Sequence, residues 1–254
     1  MRVRVLGCSG GVGADLRTTS LLVDDDILLD AGTGVGDLTL EAMRRIRHVF
    51  LTHSHLDHIT CIPLLVDSVF DTTLTPLTIH GQSATLKALR DHIFNNVIWP
   101  DFSRLPTAQK PVMRYQEMAP GEIRDVGGRR FEMIAVNHVV PGVGYRLEAG
   151  GRALAFSGDT TTNDNFWNVL NSRAPTEVLI VEAAFANKDR ELARVAGHYC
   201  PEMLAQDLAK LQQSTDVYIS HNKPGEEKII FAECQAAIGS HRVHRLTGGE
   251  QFTL

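Results

Sequence analysis

Short apolar runs alternate along the whole chain with longer segments in which apolar residues recur every three or four positions. The short runs are rich in β-branched residues and are bounded by Gly, Asp or Asn, which is typical of strands. Strands are predicted at 2–7, 20–24, 26–30, 48–52, 77–81, 130–137, 143–149, 153–158, 177–183 and 216–221. Helices are predicted at 37–46, 58–70, 83–95, 164–171, 201–212 and 226–238.

The helix predicted at 201–212 shows how this pattern places a core. Pro201 suits the first turn of a helix, and Leu204, Leu208 and Leu211 recur on one face, which should be buried. Strands that pair as hairpins, with helices between them, predict two sheets covered by helices, a layered α/β arrangement. No linker-like change in composition and no internal repeat divides the chain, so we expect one domain spanning 1–254.

Composition and charge narrow the possible partners. The chain has 254 residues, a formal net charge of -5 and a pI near 6.1, so it lacks the basic surface that neutralises nucleic-acid phosphates. The four cysteines have no paired spacing, and no apolar stretch approaches the roughly 20 residues of a membrane span. We expect a cytoplasmic protein with reduced thiols, no membrane partner and no nucleic-acid partner.

The segment "LTHSHLDHIT" at 51–60 is the strongest chemical signal in the sequence. It places His53, His55, Asp57 and His58 within six positions, between a predicted strand and an apolar helix. Open α/β sheets build their sites at the carboxyl ends of strands. Imidazoles clustered there would need a partner for every ring nitrogen, and a metal ion supplies such a partner.

Three downstream residues stand at similar places. His138, Asp159 and His221 each follow a predicted strand, so paired strands could bring them to the same rim. Seven candidate ligands exceed one tetrahedral shell, which predicts two divalent metal ions with an aspartate between them. Zinc is the first expectation, and Mn²⁺ or Fe²⁺ are alternatives. The remaining histidines carry no motif and are interpreted as ordinary core or surface groups.

These residues resemble the metal signature of the metallo-β-lactamase superfamily, whose fold is a four-layer αββα sandwich. The resemblance is carried by "HSHLDH", by His138, by "FSGDT" and by His221, and extends from "LGCSGG" to the last of these histidines. It implies two metal ions that share one ligand. His53, His55 and His138 would hold one ion, Asp57, His58 and His221 would hold the other, and Asp159 would bind both.

A narrower resemblance is to the phosphodiesterase branch that includes class II cyclic nucleotide phosphodiesterases and transfer-RNA 3′ endonucleases. "VEAAF" and "GHYCPEML" are similar to that branch's glutamate and histidine pair, here Glu182 and His198, and "HIFNNVIWPDFSRL" is similar to a segment of the class II enzymes. Trp99 and Phe102 in this segment, with Asn137, are expected to contact substrate, although the aromatic residues could equally belong to the core.

The resemblance implies a dinuclear metal-dependent phosphodiesterase that opens 3′,5′-cyclic nucleotides such as cyclic AMP or cyclic GMP to 5′-monophosphates. A metal-bridging hydroxide would attack phosphorus, and Asp57, His198 and Glu182 are the predicted catalytic residues. His198 would protonate the leaving oxygen, unless it only caps the following helix.

Several alternatives stay open for the same site. They are an RNA 3′-end nuclease, a hydrolase of another cyclic phosphodiester, a thioester or a lactone, and a metal-holding binding or regulatory protein. The short interval between His138 and Asp159 leaves no room for a long RNA-gripping arm, so a small phosphodiester is the expected partner. The sequence is compatible with a homodimer.

Two further stretches are assigned structural roles. "GCSGGVG" at 7–13 leads into a strand and not into a helix, so we interpret it as a tight connection near the site. Asp30 in "LLDAGTG" is predicted to hold the metal loop, because a ligating histidine needs an acceptor for its other N–H group.

Overall fold

Two seven-stranded sheets form the centre of the protein in a computed structural model that describes residues 1–70 and 75–254. The first sheet has the strand order β16-β1-β2-β3-β4-β5-β8. Its strands are β1 (Arg2–Gly7), β2 (Ser20–Val23), β3 (Ile27–Leu29), β4 (His48–Phe50), β5 (Leu77–Gly81), β8 (Met113–Glu117) and β16 (Gln251–Thr253). A two-stranded ribbon of β6 (Pro106–Thr107) and β7 (Lys110–Pro111) precedes β8.

The second sheet has the order β15-β14-β13-β12-β11-β10-β9. Its strands are β9 (Ile123–Val126), β10 (Arg129–Val136), β11 (Gly142–Ala149), β12 (Arg152–Phe156), β13 (Val178–Glu182), β14 (Asp216–Ser220) and β15 (Arg242–Arg245). In each sheet four neighbouring strands are parallel, β3-β4-β5-β8 and β12-β13-β14-β15. The carboxyl ends of parallel strands share one edge, so each sheet presents a rim of strand-end loops.

Helices lie against the outer faces of the sheets. They are α1 (Leu40–Met43), α2 (Leu56–Ile59), α3 (Cys61–Val69), α4 (Ser83–Ala88), α5 (Asn165–Asn171), α6 (Arg190–Ala196), α7 (Pro201–Leu208) and α8 (Glu227–Ala237). In the part of the chain that the structure describes, no helix is long and apolar enough to cross a bilayer.

All ten predicted strands are present, but three predicted helices need correction. The segment 37–46 contains only the short α1, preceded by a 3₁₀ turn at Thr33–Asp37. The segment 58–70 is divided at Thr60 into α2 and α3, because Pro63 has no N–H to donate to the carbonyl four residues earlier. The segment 83–95 continues from α4 into a π-helical turn at Leu89–Ile93.

Three apolar clusters show that the layers are ordered αββα. One lies between the sheets, where Phe50 of β4 stacks on Phe131 of β10 with ring centroids 4.2 Å apart. A second packs α3 on the first sheet, and a third packs α5, α7 and α8 on the second. The leucine face predicted for α7 is confirmed in this third cluster, since Leu204, Leu208 and Leu211 are all buried. The predicted four-layer sandwich is therefore present.

Candidate metal centre

The histidine-rich segment forms the loop that leaves β4 and enters α2. The His55 carbonyl accepts the His58 N–H at 3.0 Å, which closes the first turn of α2 around the motif. The His58 carbonyl in turn accepts the Ala31 N–H at 2.7 Å, which ties this turn to the segment after β3. Neighbouring backbone therefore fixes the loop.

One group of candidate ligands combines this loop with two other strand ends. His53, His55, His138 and Asp159 each offer a ligand atom, and these atoms lie within 4.8 Å of one another. The His138 Nε2 atom is 3.1 Å from His55 Nδ1, and His53 Nε2 is 3.6 Å from an Asp159 carboxylate oxygen. His138 follows β10 and Asp159 follows β12, so the second sheet supplies half of this group.

A second group contains Asp57, His58, Asp159 and His221, and it shares Asp159 with the first. The Nε2 atoms of His58 and His221 are each 3.3 Å from an Asp159 oxygen. They are 3.8 and 3.7 Å from Asp57 Oδ2. The structure thus brings all seven predicted ligands together as two groups that meet at one carboxylate.

These distances fit metal ions. Two ligand atoms that are each about 2.0–2.1 Å from one tetrahedral ion lie roughly 3.3 Å apart, close to the separations found here. The Nε2 atoms of His53 and His58 are buried, and neither has a hydrogen-bond partner among the described residues. A buried polar atom without a partner is costly, and an ion between these side chains would satisfy both nitrogens.

The opposite ring nitrogens are held by partners outside the ligand groups. Asp30 accepts from His58 Nδ1 at 2.7 Å, and the Gly197 carbonyl accepts from His138 Nδ1 at 2.8 Å. His53 Nδ1 and His221 Nδ1 contact threonine hydroxyls at 3.0 and 3.3 Å. Such partners fix the ring orientation and leave Nε2 free for a metal. The predicted contact of Asp30 with the metal loop is therefore present.

The electrostatics of the groups favour an ionised Asp159 beside a neutral His53 and a protonated His58. Burial holds the pKa of His53 well below its ordinary value. Burial opposes ionisation of Asp159, but His221 and His58 hold its pKa well below the usual range. For His58, burial lowers the pKa, but the Asp159 and Asp30 carboxylates outweigh burial and raise it. The aspartate is thus ready to serve as an anionic ligand.

The backbone around His221 is shaped for this position. His221 has φ of 59°, in the left-handed region that residues other than glycine seldom adopt. Gly10 packs directly against it, and a Cβ at Gly10 would lie 2.5 Å from the His221 carbonyl oxygen. The predicted role of "GCSGGVG" as a tight connection near the site therefore matches its position, since only glycine permits this approach.

A third group stands beside the ligands and contains Asp159, Glu182 and His198. His198 Nδ1 is 2.7 Å from Glu182 Oε1, and Glu182 also accepts the backbone N–H groups of Thr160 and Ala184 at 2.9 and 3.1 Å. His198 does not cap α7, which begins after Cys200 without a side-chain cap. Burial lowers the pKa of His198, but Glu182 outweighs burial and raises it.

Of the three residues expected to contact substrate, two are in or against the core and one is exposed. Phe102 is only 3% exposed and lies in the core cluster of the first sheet, and Trp99 packs against that cluster with a buried indole N–H. The expectation that Phe102 stacks on substrate is corrected, because its ring is enclosed by apolar side chains. Asn137 is exposed next to His138, and its amide donates to the Thr162 carbonyl at 3.0 Å.

Two residues beside His198 were missed by the sequence reasoning. The Phe185 ring lies 5.8 Å from the His198 ring, and the Lys223 ammonium lies 5.5 Å from the Phe185 ring on its face. Phe185 ends the "VEAAF" stretch and Lys223 follows His221 by two positions, so nearness to the two motifs was the available signal.

Comparison with known proteins identifies the family of this chain. The family model described as a beta-lactamase superfamily domain matches residues 25–221. A probable 3′,5′-cyclic-nucleotide phosphodiesterase of Yersinia pestis is 27% identical, over 92% of this chain and 83% of that protein. A ribonuclease Z of Haloarcula marismortui is 32% identical, over 87% of this chain and 86% of that protein.

The fold is also found among solved structures. Unliganded yeast PDE1 superposes with a TM-score of 0.85 at 18% identity, over 100% of this chain and 99% of that chain. This likeness confirms the predicted metallo-β-lactamase fold. The chain belongs to the beta-lactamase superfamily, as a hydrolase similar to its cyclic-nucleotide phosphodiesterases and ribonuclease Z members.

Proposed function

We propose that this protein is a metal-dependent phosphodiesterase that hydrolyses 3′,5′-cyclic nucleotides to 5′-monophosphates. The proposal is supported by the two ligand groups that share Asp159, by the His198–Glu182 pair beside them, and by the phosphodiesterase relative. The same residues 1–254 are proposed to act as one domain, since ligands come from both sheets and one apolar cluster joins the sheets.

Two divalent ions, with zinc as the first candidate, would occupy the two groups. His53, His55 and His138 would hold one ion, Asp57, His58 and His221 the other, and Asp159 both. When bound, such ions lower the pKa of a water molecule and neutralise phosphate oxygens. The protein's own part is to fix the ligand atoms through Asp30, Gly197 and the threonine hydroxyls described above.

The observation that carries the proposal is the 2.7 Å contact between His198 and Glu182. In cyclic nucleotide hydrolysis the bond from phosphorus to O3′ breaks, and the ribose oxygen leaves poorly unless it receives a proton. Glu182 raises the pKa of His198, so the imidazole holds a proton nearer neutral pH. The His198 ring lies 5.0 Å from that of His138 and 5.4 Å from that of His221, between the two ligand groups.

The compact structure between His138 and Asp159 favours a small substrate over a folded RNA. This interval, which the structure describes throughout, contains only β11, β12 and the turn between them. With the net charge of -5, it offers no extended basic surface. The ribonuclease Z relative makes an RNA 3′-end nuclease the second candidate function.

Metal analysis followed by product identification tests the proposal. The purified protein should contain about two transition-metal equivalents per chain, because seven ligands exceed one coordination shell. It should convert cyclic AMP or cyclic GMP to the 5′-monophosphate. At most one tightly bound metal would contradict the dinuclear arrangement. Cleavage of a transfer-RNA precursor alone would replace the substrate assignment, and metal binding without turnover of any phosphodiester would indicate a binding protein.

A matched pair of variants checks that turnover depends on the ligand groups. Asp159→Ala removes the carboxylate that both groups share, so nearly all activity should be lost while the fold is kept. Asp164→Ala, at an exposed carboxylate nearby in the chain, should retain activity. Normal turnover by Asp159→Ala would show that the ligand assignment is wrong.

A further inference from the structure

A separate cavity of about 560 Å³ opens beside the first strand of the protein. Its walls come from β1 and the segment after it, from the loop at 14–17, and from the connection between β15 and β16. None of the seven candidate metal ligands lines it. The volume lies within the range of roughly 300–1,000 Å³ that is typical of small-molecule sites.

Arginines dominate the charge of this cavity. Arg4, Arg17 and Arg245 line it, together with Asp15 and Asp37. Arg17 is already paired with Asp37 at 2.9 Å. Within 1–70 and 75–254, no carboxylate lies within ion-pair distance of Arg4 or Arg245. Two unpaired guanidinium groups therefore belong to the wall of the cavity. Among these described wall residues, Asp15 is the only other unpaired charge.

The remaining polar groups of the wall do not neutralise these cations. Burial raises the pKa of the Cys8 thiol to about 11, so it is uncharged at neutral pH. Ser9 is only 8% exposed, and its hydroxyl has no hydrogen-bond partner in the described parts of the chain. Thr247 contributes a hydroxyl to the wall. Two cations and this hydroxyl therefore line a space that no side chain fills.

We propose that this cavity binds a small phosphorylated ligand of nucleotide size. A guanidinium group presents donors in a planar fork that matches phosphate oxygens, and it stays charged at all physiological pH values. Arg4 and Arg245 hold the phosphate, and the hydroxyl of Thr247 adds a donor. This site is distinct from the metal centre and does not depend on the proposed reaction.

The cavity adjoins the segment that positions a metal ligand. The Cys8 carbonyl accepts the His221 N–H at 2.7 Å, and the Gly10 N–H donates to the Asn222 carbonyl at 3.0 Å. Cys8 and Ser9 line the cavity, so a ligand there contacts the same segment that supports His221. The two sites thus share a wall.

Calorimetric titration of the full-length Asp159→Ala protein with AMP tests the proposal, because this change disables the metal centre and leaves the cavity intact. AMP should bind at one site per chain. Arg4→Gln and Arg245→Gln, each introduced into that background, should weaken binding by about 10-fold or more, since a hydrogen bond to a charged group contributes about 1.5–3 kcal/mol. Arg114→Gln, at an exposed arginine outside the cavity, is the control and should leave the affinity unchanged.

Further titrants identify what is recognised. Inorganic phosphate that binds as tightly as AMP would show that the anion alone is held, whereas weaker phosphate binding would show that the nucleoside also contributes. Adenosine binding as tightly as AMP would overturn the proposal, because the arginines would then be irrelevant. An absence of AMP binding, or an affinity unaffected by both arginine changes in variants with unchanged circular dichroism, would overturn it as well. None of these outcomes depends on turnover of a cyclic nucleotide.

Discussion

At the scale of single residues, the hydrogen bond between His198 and Glu182 distinguishes a proposed general acid from the candidate metal ligands. The six other candidate ligands lie in two groups that share Asp159, whereas His198 lies beside them with its Nδ1 atom 2.7 Å from a Glu182 carboxylate oxygen. In the proposed reaction, the Nε2 atom of His198 gives a proton to a substrate oxygen, because Nδ1 is already bound to Glu182. This arrangement predicts that loss of the acid can be separated from loss of metal.

We expect His198→Ala to lose about 10²–10⁴-fold in kcat on a cyclic nucleotide, because protonation matters when a ribose alkoxide must leave. On bis(p-nitrophenyl) phosphate the loss should be small, because nitrophenolate leaves without a proton. Glu182→Ala should also lower kcat on a cyclic nucleotide. Combining it with His198→Ala should lower kcat little further, since the effects of partners that act as a unit are non-additive. Steady-state kinetics on both substrates measure this, and equal losses on both would instead indicate damaged metal binding.

The position of Phe185 predicts where the base of a nucleotide would lie. Its ring is partly exposed and lies 5.8 Å from the ring of His198, the group proposed to protonate the leaving ribose oxygen. Phe185→Ala should raise KM for cyclic AMP about 5- to 150-fold, because stacking on a base contributes about 1–3 kcal/mol. Trp99→Ala is the matched control: it should lower the melting temperature and leave KM unchanged, since Trp99 packs on the core. If Trp99→Ala raised KM and Phe185→Ala did not, Trp99 would be the residue that stacks on the base, as the sequence analysis expected.

How far the site could be predicted depends on how its residues are distributed along the chain. The metal loop is a continuous motif, and His138, Asp159 and His221 could be found because each follows a recognisable strand. Phe185 and Lys223 lie near the two motifs in the sequence, but they meet only through tertiary structure, so the sequence does not show that they lie together. Phe102 could not be assigned for the opposite reason, because an aromatic residue looks the same in a sequence whether it faces substrate or core.

At the scale of elements, the central strands were predictable and the edges were not. The strands absent from the sequence prediction include all four sheet edges, namely β8, β9, β15 and β16. An edge strand has fewer buried neighbours and carries more polar residues, as in "RVHR" of β15 and "IRDV" of β9, so its hydrophobic signal is weak. Helix α6 was missed for a similar reason, since Ala193 is the one fully buried residue among those of α6, all of which the structure describes.

A histidine pair between β4 and β5 predicts how stability depends on pH. His80 stacks on Phe50 with ring centroids 4.2 Å apart, and its Nε2 atom is 3.0 Å from His48 Nδ1. Burial lowers the pKa of His80 from 6.5 to about 3. The unfolded chain therefore binds more protons in this window, and stability is lost as the pH falls from about 6.5 toward about 3.

This loss should reach up to about 1.4 kcal/mol of unfolding free energy per pH unit from His80 alone. His80→Phe keeps the stacking and removes the titration, so its free energy of unfolding should fall less steeply between pH 6 and pH 4, by roughly that slope. Urea denaturation with chelator present in both proteins measures the difference without a contribution from metal. His92→Phe, at an exposed histidine, should follow the wild type. Parallel curves for His80→Phe and wild type would show that His80 titrates normally.

At the scale of the whole molecule, charge and the short interval after His138 favour the proposed small substrate over a long RNA. The net charge is -5, and the interval between His138 and Asp159 is a plain hairpin-linked pair of strands. A long RNA needs many phosphate contacts, each of which releases counterions and makes binding sensitive to salt. A cyclic nucleotide needs contacts only at the site. Because a ribonuclease Z is among the relatives, the salt dependence of RNA binding is the test that distinguishes the two candidate functions.

A transfer-RNA precursor should therefore bind weakly to the metal-loaded protein, with an affinity that changes by less than about 10-fold between 50 and 200 mM salt. A protein that contacts six to ten phosphates would lose about 10³–10⁵-fold over the same range. Filter binding across this salt series measures the slope, and hydrolysis of cyclic AMP under the same conditions provides the comparison. Because a cyclic nucleotide would present one phosphate to the proposed metal centre, kcat/KM for cyclic AMP should vary only slightly with salt. Tight, steeply salt-dependent RNA binding with cleavage, and no turnover of cyclic AMP, would assign the site to RNA processing.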